Sequence, residues 1–286
     1  MTTETSSKLK GNLGKKIDLN EKLDNKITEI HPKNDFIWFL ANHPEVRNMP
    51  IERQLDEYRS RGISSYTWFY REPPVMDTFK ELILPGFSKD KTIRVASVGC
   101  SLGGEPYGIL LSNWAERDRL AIDAFDCNLD TLESAMMRDS YAFDEWELEN
   151  LKDNGKNNIE EAGELTFNPK ASFVRYELKL KPKTKKRVNF EPLDIFSEKL
   201  PREYDAIFLL NVLKYYQPKG RKIILDNIHR SLAEGGWLLG ELEENQHSSE
   251  EYRKFMQDLS SFGFEKQKVV LNSKDITQGS RVYRRR

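Results

Sequence analysis

The spacing of apolar residues changes near Thr92, and the change divides the chain into two parts. Beyond it, short apolar runs rich in β-branched residues alternate with amphipathic stretches, beginning with Ile93 to Val98. A helical pattern follows over about Pro106 to Glu116, and Ala121 to Phe125 is a second short apolar run. Alternating strands and helices are typical of βαβ units in a parallel sheet. The pattern therefore predicts an α/β domain over residues 89–286.

The later part of this domain continues the alternation. Tyr204 to Leu210 is almost continuously apolar and predicts a buried central strand. Apolar residues recur at helical spacing over Lys219 to Leu232, which predicts an amphipathic helix. Gly235 and Gly236 are expected to cap that helix. Val269 to Leu271 and Arg281 to Tyr283 predict a closing antiparallel pair of strands.

One stretch, about residues 155–190, interrupts the rhythm. Ser172 to Leu180 alternates roughly as a strand does, Pro182 to Arg187 is a basic turn, and Val188 to Phe190 resumes a strand. The simplest interpretation is a small antiparallel β unit inserted into the domain.

The part before the domain is different in character. Residues 1–30 are polar and poor in large apolar side chains, so we predict a disordered tail there. Residues 31–88 are predicted to form a helical N-terminal region, with helices over about Asp35 to Val46 and from Pro50 to about Arg61.

Composition narrows the class of protein. The 286 residues carry 45 Lys and Arg against 46 Asp and Glu, a balance that argues against a nucleic-acid partner. No apolar run reaches the roughly 18–20 residues of a membrane span, and the N-terminus does not resemble a signal peptide. Cys100 and Cys127 lack metal-ligand spacing, so we expect no metal and a cytoplasmic, reducing setting.

Two features beside the first two predicted strands suggest a ligand. A glycine-rich turn, Gly99 to Gly104, leads into the first helix, where free backbone N–H groups favour an anion. Asp126 follows the second strand, at the place from which an acid accepts both hydroxyls of a ribose. The turn alone is compatible with an ordinary βα connection, and Asp126 alone with a surface acid. The spacing is not G-x-G-x-x-G, so a dinucleotide is a weaker fit.

Two further segments are candidates for a site. Asn211 ends the apolar run before it, at a position where open α/β sheets bind ligands. Tyr215 and Tyr216 follow, and packing against the sheet explains them as well as function does. The aromatic and basic segment Tyr66 to Pro73 is compatible with a lid over a cofactor or with an amphipathic core segment.

The chemistry expected of such a site is limited. The sequence contains no G-x-S-x-G, H-E-x-x-H or P-loop motif, and His229 lies in a predicted helix as a surface residue. Methyl transfer from a sulfonium to a carboxylate suits this pattern, because the nucleophile is already ionised near neutral pH. The protein must then mainly align donor and acceptor and exclude water.

Taken together and in order, these segments resemble the CheR-type chemotaxis receptor methyltransferases over roughly residues 60–286. The segments that carry the resemblance are Thr67 to Glu72, Cys100 to Tyr107, Asp126 to Asn128, Tyr204 to Tyr216 and Leu232 to Leu238. The resemblance implies a Rossmann-like, mostly parallel methyltransferase sheet with a closing antiparallel strand, a small helical N-terminal domain and a small antiparallel β insertion. It also implies S-adenosylmethionine (SAM) as cofactor, S-adenosylhomocysteine as product, and methyl esters on glutamates of a chemoreceptor cytoplasmic domain.

The resemblance also implies roles for individual residues. Arg71 and Tyr215 are expected beside the reacting centre. Ser65 stands where some members have a cofactor-binding Asn. The residues expected to contact the cofactor are Ser65, Thr67, Arg71, Gly99, Glu105, Asp126, Asp194, Ile195, Leu210 and Asn211.

The sequence departs from the family pattern at several positions. Leu210 replaces an Arg of the family and removes a positive charge, and Gly104 replaces the first Glu of a Glu-Glu pair. Two alternatives therefore stand beside a protein-glutamate methyltransferase: a methyltransferase for another carboxylate or small molecule, and a SAM-binding regulatory module without turnover. Leu210 favours these alternatives, whereas Arg71, Asn211 and Tyr215 favour the glutamate methyltransferase.

Overall fold

The computed structural model describes part of the chain. The described residues are 44–50, 53–54, 69–70, 73–152, 158–169, 176–240, 256–271, 274–275 and 281–286. The predicted tail lies outside them, and so do most residues of the two predicted N-terminal helices.

Helices and strands alternate through most of the described chain. The helices are α1 (Pro44–Arg47), α2 (Pro73–Thr78), α3 (Gly104–Ser112), α4 (Leu129–Met137), α5 (Glu145–Leu151), α6 (Asn158–Ala162), α7 (Pro182–Lys185) and α8 (Pro218–Ser231). Single π or 3-10 turns cover Phe79–Ile83, Leu84–Gly86, Trp114–Glu116 and Leu213–Tyr215. The strands are β1 (Ile93–Val98), β2 (Leu120–Asp126), β3 (Ser140–Phe143), β4 (Gly163–Phe167), β5 (Tyr176–Leu180), β6 (Val188–Pro192), β7 (Tyr204–Leu209), β8 (Leu232–Gly240), β9 (Phe264–Lys266), β10 (Val270–Leu271), β11 (Lys274–Asp275) and β12 (Val282–Arg285).

A mostly parallel sheet forms the centre of the fold. Within the described residues its seven strands follow the order β6-β2-β1-β7-β8-β12-β9. The pairs from β6 to β8 are parallel, and β12 runs antiparallel to both β8 and β9. The central strand β7 is buried at every position, as expected when both faces of a parallel sheet are covered. The predicted fold class, a Rossmann-like sheet with a closing antiparallel strand, is confirmed.

The predicted pairing of the last strands is wrong. Val270–Leu271 pairs with Lys274–Asp275 in a separate two-stranded sheet, whereas β12 joins the main sheet between β8 and β9. The reason lies in burial on both faces of β12. Val282 packs into the apolar cluster on one face of the sheet, and Tyr283 packs into the cluster on the other.

The inserted β unit exists, but its bounds differ from the predicted 155–190. A three-stranded antiparallel sheet, β3-β5-β4, begins at Ser140, and we call it the small sheet. Val188–Pro192 is not part of it, because this strand pairs in parallel with β2 at the edge of the main sheet. Phe190 packs there against Tyr107 of α3, with ring centroids 5.9 Å apart. The predicted basic turn begins as the short helix α7.

Two apolar clusters cover the two faces of the main sheet. On one face the turn after α2 packs on β7, where the rings of Phe79 and Phe208 meet edge to face at 5.2 Å. The small sheet adds Tyr141 and Phe143 to the same cluster. On the other face α8 contributes its apolar side chains, among them Ile224. Among the described residues, no helix is long and apolar enough to cross a membrane.

Candidate functional site

The predicted site residues of the described chain follow the carboxyl ends of four neighbouring parallel strands. Gly99 follows β1, Asp126 ends β2, and Asn211 comes just after β7. Asp194 and Ile195 come just after β6. Because these strands are parallel neighbours, the loops emerge at one edge of the sheet, where open α/β sheets bind ligands.

The glycine-rich turn after β1 has a backbone that few side chains tolerate. Gly99 and Gly103 have positive φ angles of 76° and 86°, and Ser101 has a φ of 52°. The N–H groups of Gly99 and Cys100 both donate to the carbonyl oxygen of Phe125, at 2.8 and 2.9 Å. These bonds hold the start of the turn against the end of β2.

The space beside Gly99 is also closed. A Cβ atom added to this glycine would lie 2.5 Å from Cγ2 of Val212. Val212 directly follows Asn211, whose own φ of 59° is left-handed. The turn after β1 and the turn after β7 therefore pack closely on each other.

Asp126 links two loops through its carboxylate. The backbone N–H of Ser101 donates to Oδ2 at 2.7 Å, and the N–H of Asn128 donates to Oδ1 at 2.9 Å. Burial raises the pKa of Asp126, and these two amides act in the opposite direction. Each carboxylate oxygen can accept more than one hydrogen bond, so the group retains capacity to bind hydroxyls. Its contact with a ribose stays a prediction.

Glu105 lies beneath the turn in the first turn of α3. Its side chain is buried, and Oε1 accepts the hydroxyl of Ser97 on β1 at 2.8 Å. The pair joins the start of α3 to β1. A cofactor contact of Glu105 stays a prediction.

The loop after β6 is fastened at several points. Oδ1 of Asp194 accepts the N–H of Phe196 at 3.0 Å, and Oδ2 accepts the hydroxyl of Ser197 at 2.7 Å. The side chain of Asn227 on α8 donates to the carbonyl oxygen of Ile195 at 2.8 Å. The loop therefore presents Ile195 with a fixed backbone.

Stacked aromatic rings connect this loop to the segment after β7. Phe196 and Tyr216 stack with centroids 5.9 Å apart and an interplanar angle of 9°. Tyr215 lies in the adjoining 3-10 turn. It is partly buried and packs against the apolar cluster that contains Ile224 of α8. Packing therefore accounts for part of what these two tyrosines do.

Leu210 is buried among apolar side chains. Only 2% of it is exposed, and it belongs to the apolar cluster that contains Phe208 and Phe79. An arginine at this position would bring a charge into apolar surroundings, which is costly without a partner.

Three predicted site residues, Ser65, Thr67 and Arg71, lie outside the described residues. Their neighbours Phe69 and Tyr70 are described, and both are buried in the apolar cluster that contains Phe79 and Phe208. Phe69 and Tyr70 are therefore core residues.

Sequence reasoning missed two polar residues that fasten the site. Asn227 is a buried amide on the apolar face of α8, and Glu147 is a buried carboxylate in α5. The spacing Asp144-x-x-Glu147 is a helix-capping signature, and Asp144 does cap α5 by accepting the N–H of Glu147 at 2.8 Å. The burial of Glu147 carries no sequence signal.

Cysteine pairing and metal-ligand geometry are two further features of the described residues. Cys100 and Cys127 do not form a disulfide with each other. No group of three His, Cys, Asp or Glu residues that could hold a metal ion exists in the described ranges.

Comparisons with known proteins agree with the resemblance. Residues 65–260 match the family model described as "CheR methyltransferase, SAM binding domain". A chemotaxis protein methyltransferase from Borreliella burgdorferi is 28% identical over 65% of this chain and 66% of its own length. The chemotaxis protein methyltransferase Cher2 from Pseudomonas putida is 27% identical over 60% of this chain and 62% of its own length. The chain thus spans a little under two thirds of the relatives that it matches.

A solved structure is also similar. The crystal structure of magnesium protoporphyrin IX methyltransferase from Synechocystis PCC 6803 with bound SAM aligns with 81% of this chain and 94% of that chain, at 14% identity and a TM-score of 0.44. The family assignment rests on the family model, which covers well over half of the sequence. The chain belongs to the CheR methyltransferase family, through that family's SAM-binding domain.

Proposed function

We propose that this chain transfers the methyl group of SAM to glutamate side chains of chemoreceptor-like proteins, forming methyl esters and S-adenosylhomocysteine. The observation that carries the proposal is the carboxylate of Asp126, fixed between the turn after β1 and the start of α4. It lies at the ligand-binding edge of a sheet in a chain of the CheR methyltransferase family.

The residues at this edge fit SAM. The left-handed backbone at Gly99 and Gly103 lets the main chain approach a ligand closely. Asp126 offers a fixed carboxylate for ribose hydroxyls, and the buried Ile195 offers apolar surface for a base. The start of α3 presents the positive end of a helix dipole, which suits the carboxylate of the methionine part.

The chemistry needs little from the protein beyond alignment. When bound, SAM supplies an electrophilic methyl group on a sulfonium. A glutamate acceptor is ionised near neutral pH, so no general base is needed to create the nucleophile. The contribution of Arg71 is a bidentate hold on a carboxylate, either of the acceptor or of the methionine part. The match of Tyr215 to the family pattern supports a role for this residue beside the reacting centre.

The small sheet is the proposed docking place for the protein substrate. Among the described residues, β3 and β4 each pair only with β5, so each offers an edge. Strand addition to such an edge is a common way to bind an extended peptide. Phe167 is the last residue of β4, and 52% of it is exposed at the edge that β4 forms.

A transfer assay tests the proposal. Purified protein and SAM labelled in the methyl group are incubated with chemoreceptor cytoplasmic fragments, and the labelled protein is then treated with mild alkali. We expect label on the fragments that alkali releases as volatile methanol, because methyl esters hydrolyse in base and methylamines do not. Fragments with glutamines at the modified positions are the matched control and should accept no label.

A second candidate acceptor follows from Leu210. Because this position is apolar and buried, it supplies no cation to an anionic acceptor. Another carboxylate or a small molecule is then the substrate, and label should appear in a small-molecule fraction and not on receptor fragments. Saturable SAM binding without transfer to either acceptor would favour the regulatory module.

A further inference from the structure

Tyr141 of β3 carries a buried hydroxyl that makes no hydrogen bond. Only 2% of this tyrosine is exposed, and among the described residues its Oη atom has no hydrogen-bond partner. Buried tyrosine hydroxyls usually find a partner, because a buried polar group without one destabilises the fold. Packing alone therefore does not explain why a tyrosine, and not a phenylalanine, stands at this position.

The hydroxyl lies against the glycine-rich turn after β1. A Cβ atom added to Gly103 would lie 2.9 Å from Oη of Tyr141 and 3.0 Å from Cζ of Phe190. Gly103 is the N-cap of α3, with a φ of 86°, and it makes no side-chain cap. The hydroxyl of Tyr141 thus lies beside the start of α3, in the space that a capping side chain would need.

The ring of Tyr141 is held in this orientation by three neighbours. Phe69 meets it edge to face at 5.1 Å, and Tyr107 of α3 meets it edge to face at 5.4 Å. The guanidinium carbon of Arg138, the C-cap of α4, lies 5.4 Å from the centroid of the ring. These contacts fix the ring with its hydroxyl at the start of α3.

The surroundings of the hydroxyl favour an anion. The start of α3, a helix of nine residues, carries the positive end of a helix dipole. The guanidinium of Arg138 adds a positive charge on the ring. Burial raises the pKa of Tyr141, so its hydroxyl stays protonated at neutral pH and can donate a hydrogen bond. A donor beside a helix N-terminus suits a carboxylate.

We propose that the hydroxyl of Tyr141 donates a hydrogen bond to the carboxylate of the methionine part of SAM, at the start of α3. The inference rests on the proposed function, in which this carboxylate lies there. Because Oη is shielded from solvent, the contact requires the turn at Gly103 to move on binding, which a glycine backbone permits. It adds that β3 of the small sheet, which also offers an edge for docking, supplies a cofactor-binding residue.

Two ligands that differ only in the carboxylate test the proposal. Dissociation constants for SAM and for decarboxylated SAM are measured by competition against labelled S-adenosylhomocysteine, with the wild type and with Tyr141→Phe. We expect Tyr141→Phe to weaken SAM binding about tenfold, the scale of one hydrogen bond to a charged group. Binding of decarboxylated SAM should stay within about twofold, because that ligand lacks the group which the hydroxyl binds.

Thermal unfolding gives a second readout that a structural role would move the other way. Tyr141→Phe keeps the ring and removes a buried hydroxyl without a partner, so the free protein should unfold at the same temperature as the wild type or higher. Excess SAM should then stabilise this variant less than the wild type. Tyr176→Phe is the control from the same sheet, where the ring stacks on Phe143 at 6.3 Å, and it should leave both affinities unchanged.

The outcomes separate this inference from the proposed function. Equal losses for SAM and decarboxylated SAM in Tyr141→Phe would mean that the hydroxyl supports the turn and would overturn the inference. A clear fall in the unfolding temperature of free Tyr141→Phe would contradict it as well. If Asp126→Ala weakens SAM binding while Tyr141→Phe does not, the inference is wrong and the proposed function stands. If the wild type binds neither SAM nor S-adenosylhomocysteine, the proposed function fails and the inference with it.

Discussion

The backbone N–H of Ser101 donates a 2.7 Å hydrogen bond to the carboxylate of Asp126, and this bond joins the turn after β1 to the end of β2. Ser101 has a left-handed backbone with a φ of 52°, a conformation that costs about 1 kcal/mol for most residues. Asp126 thus stabilises an unfavourable turn and also presents negative charge at the ligand-binding edge of the sheet. Its substitution should affect both the turn and the binding of SAM.

Asp126→Ala should weaken SAM binding by about 1.5–3 kcal/mol, the usual scale for charge-assisted hydrogen bonds. That loss corresponds to roughly a ten- to hundredfold higher dissociation constant, measurable by calorimetry. Asp126→Asn keeps an oxygen that can accept the N–H of Ser101, so it should preserve the turn better while still losing affinity. Asp130→Ala, an exposed acid of α4, is the control and should bind like the wild type. Affinity within about twofold of wild type in folded Asp126→Ala would leave Asp126 with a structural role only.

Gly99→Ala should impair both folding and SAM binding. The new methyl group would lie 2.5 Å from Val212, and the residue would keep a φ of 76°, so we expect a loss of about 1–3 kcal/mol in the free energy of unfolding. Gly86→Ala is the matched control, because no atom lies within 4 Å of its added Cβ. Thermal unfolding and calorimetry of both variants give the comparison. Equal behaviour of the two would show that the turn tolerates a side chain.

The succession of strands and helices along the chain could be predicted because each element carries a local pattern. Tyr204 to Leu210 is apolar at nearly every position because β7 is covered on both faces, and that pattern is visible in the sequence. The partner of a strand is not a local property. The sequence pattern around Val282 and Tyr283 is that of a hairpin strand, yet these residues lie between β8 and β9 and face two different apolar clusters.

For the candidate site, too, some residues could be predicted from the sequence and others could not. The positions of Gly99 after β1 and of Asp126 at the end of β2 could be predicted, because backbone geometry and strand position favour particular residue types there. Their contacts with a cofactor stay predictions. Glu147 could not be predicted, since its partner is a backbone amide far away in the sequence and no side-chain pattern marks that amide. Leu210 departs from the family pattern in the sequence, but its burial in the apolar cluster is visible only in the structure.

Phe167→Ala should weaken binding of a receptor fragment without changing SAM affinity. The half-exposed ring lies at the end of the edge strand β4. Its centroid is 5.2 Å from that of the Tyr176 ring on the neighbouring strand β5. Ile223→Ala removes another exposed apolar side chain, on α8, and should leave both affinities unchanged. Fragment binding measured with and without SAM gives the comparison. Unaltered fragment binding by folded Phe167→Ala would argue against docking at this end of β4.

A point substitution is a sharper test of the small sheet than deleting residues 155–190. Such a deletion also removes the first three residues of β6, Val188 to Phe190, which pair with β2 in the main sheet. The deletion also removes Leu178 and Leu180 from the apolar cluster that contains Phe79 and Phe208. We therefore expect the deletion variant to unfold, which would say nothing about the partner.

Leu210→Arg should destabilise the protein. The position is 2% exposed within an apolar cluster, and an uncompensated buried charge costs roughly 3 kcal/mol. Leu210→Met keeps the volume and the apolar character, so its unfolding temperature should stay close to that of the wild type. Chemical denaturation of both variants checks the expectation. A stable Leu210→Arg variant with raised transfer to receptor glutamates would instead mean that the arginine reaches the site and binds the acceptor.

Methyl transfer by the wild type, compared with transfer by Arg71→Ala, decides whether the chain is a receptor glutamate methyltransferase. With SAM labelled in the methyl group and chemoreceptor cytoplasmic fragments as acceptor, the wild type should form alkali-labile label on glutamates. Arg71→Ala should form almost none while keeping its fold by circular dichroism, because the guanidinium that holds a carboxylate is gone. Wild-type protein that binds SAM but labels no receptor glutamate, or Arg71→Ala with undiminished transfer, would contradict the proposed function.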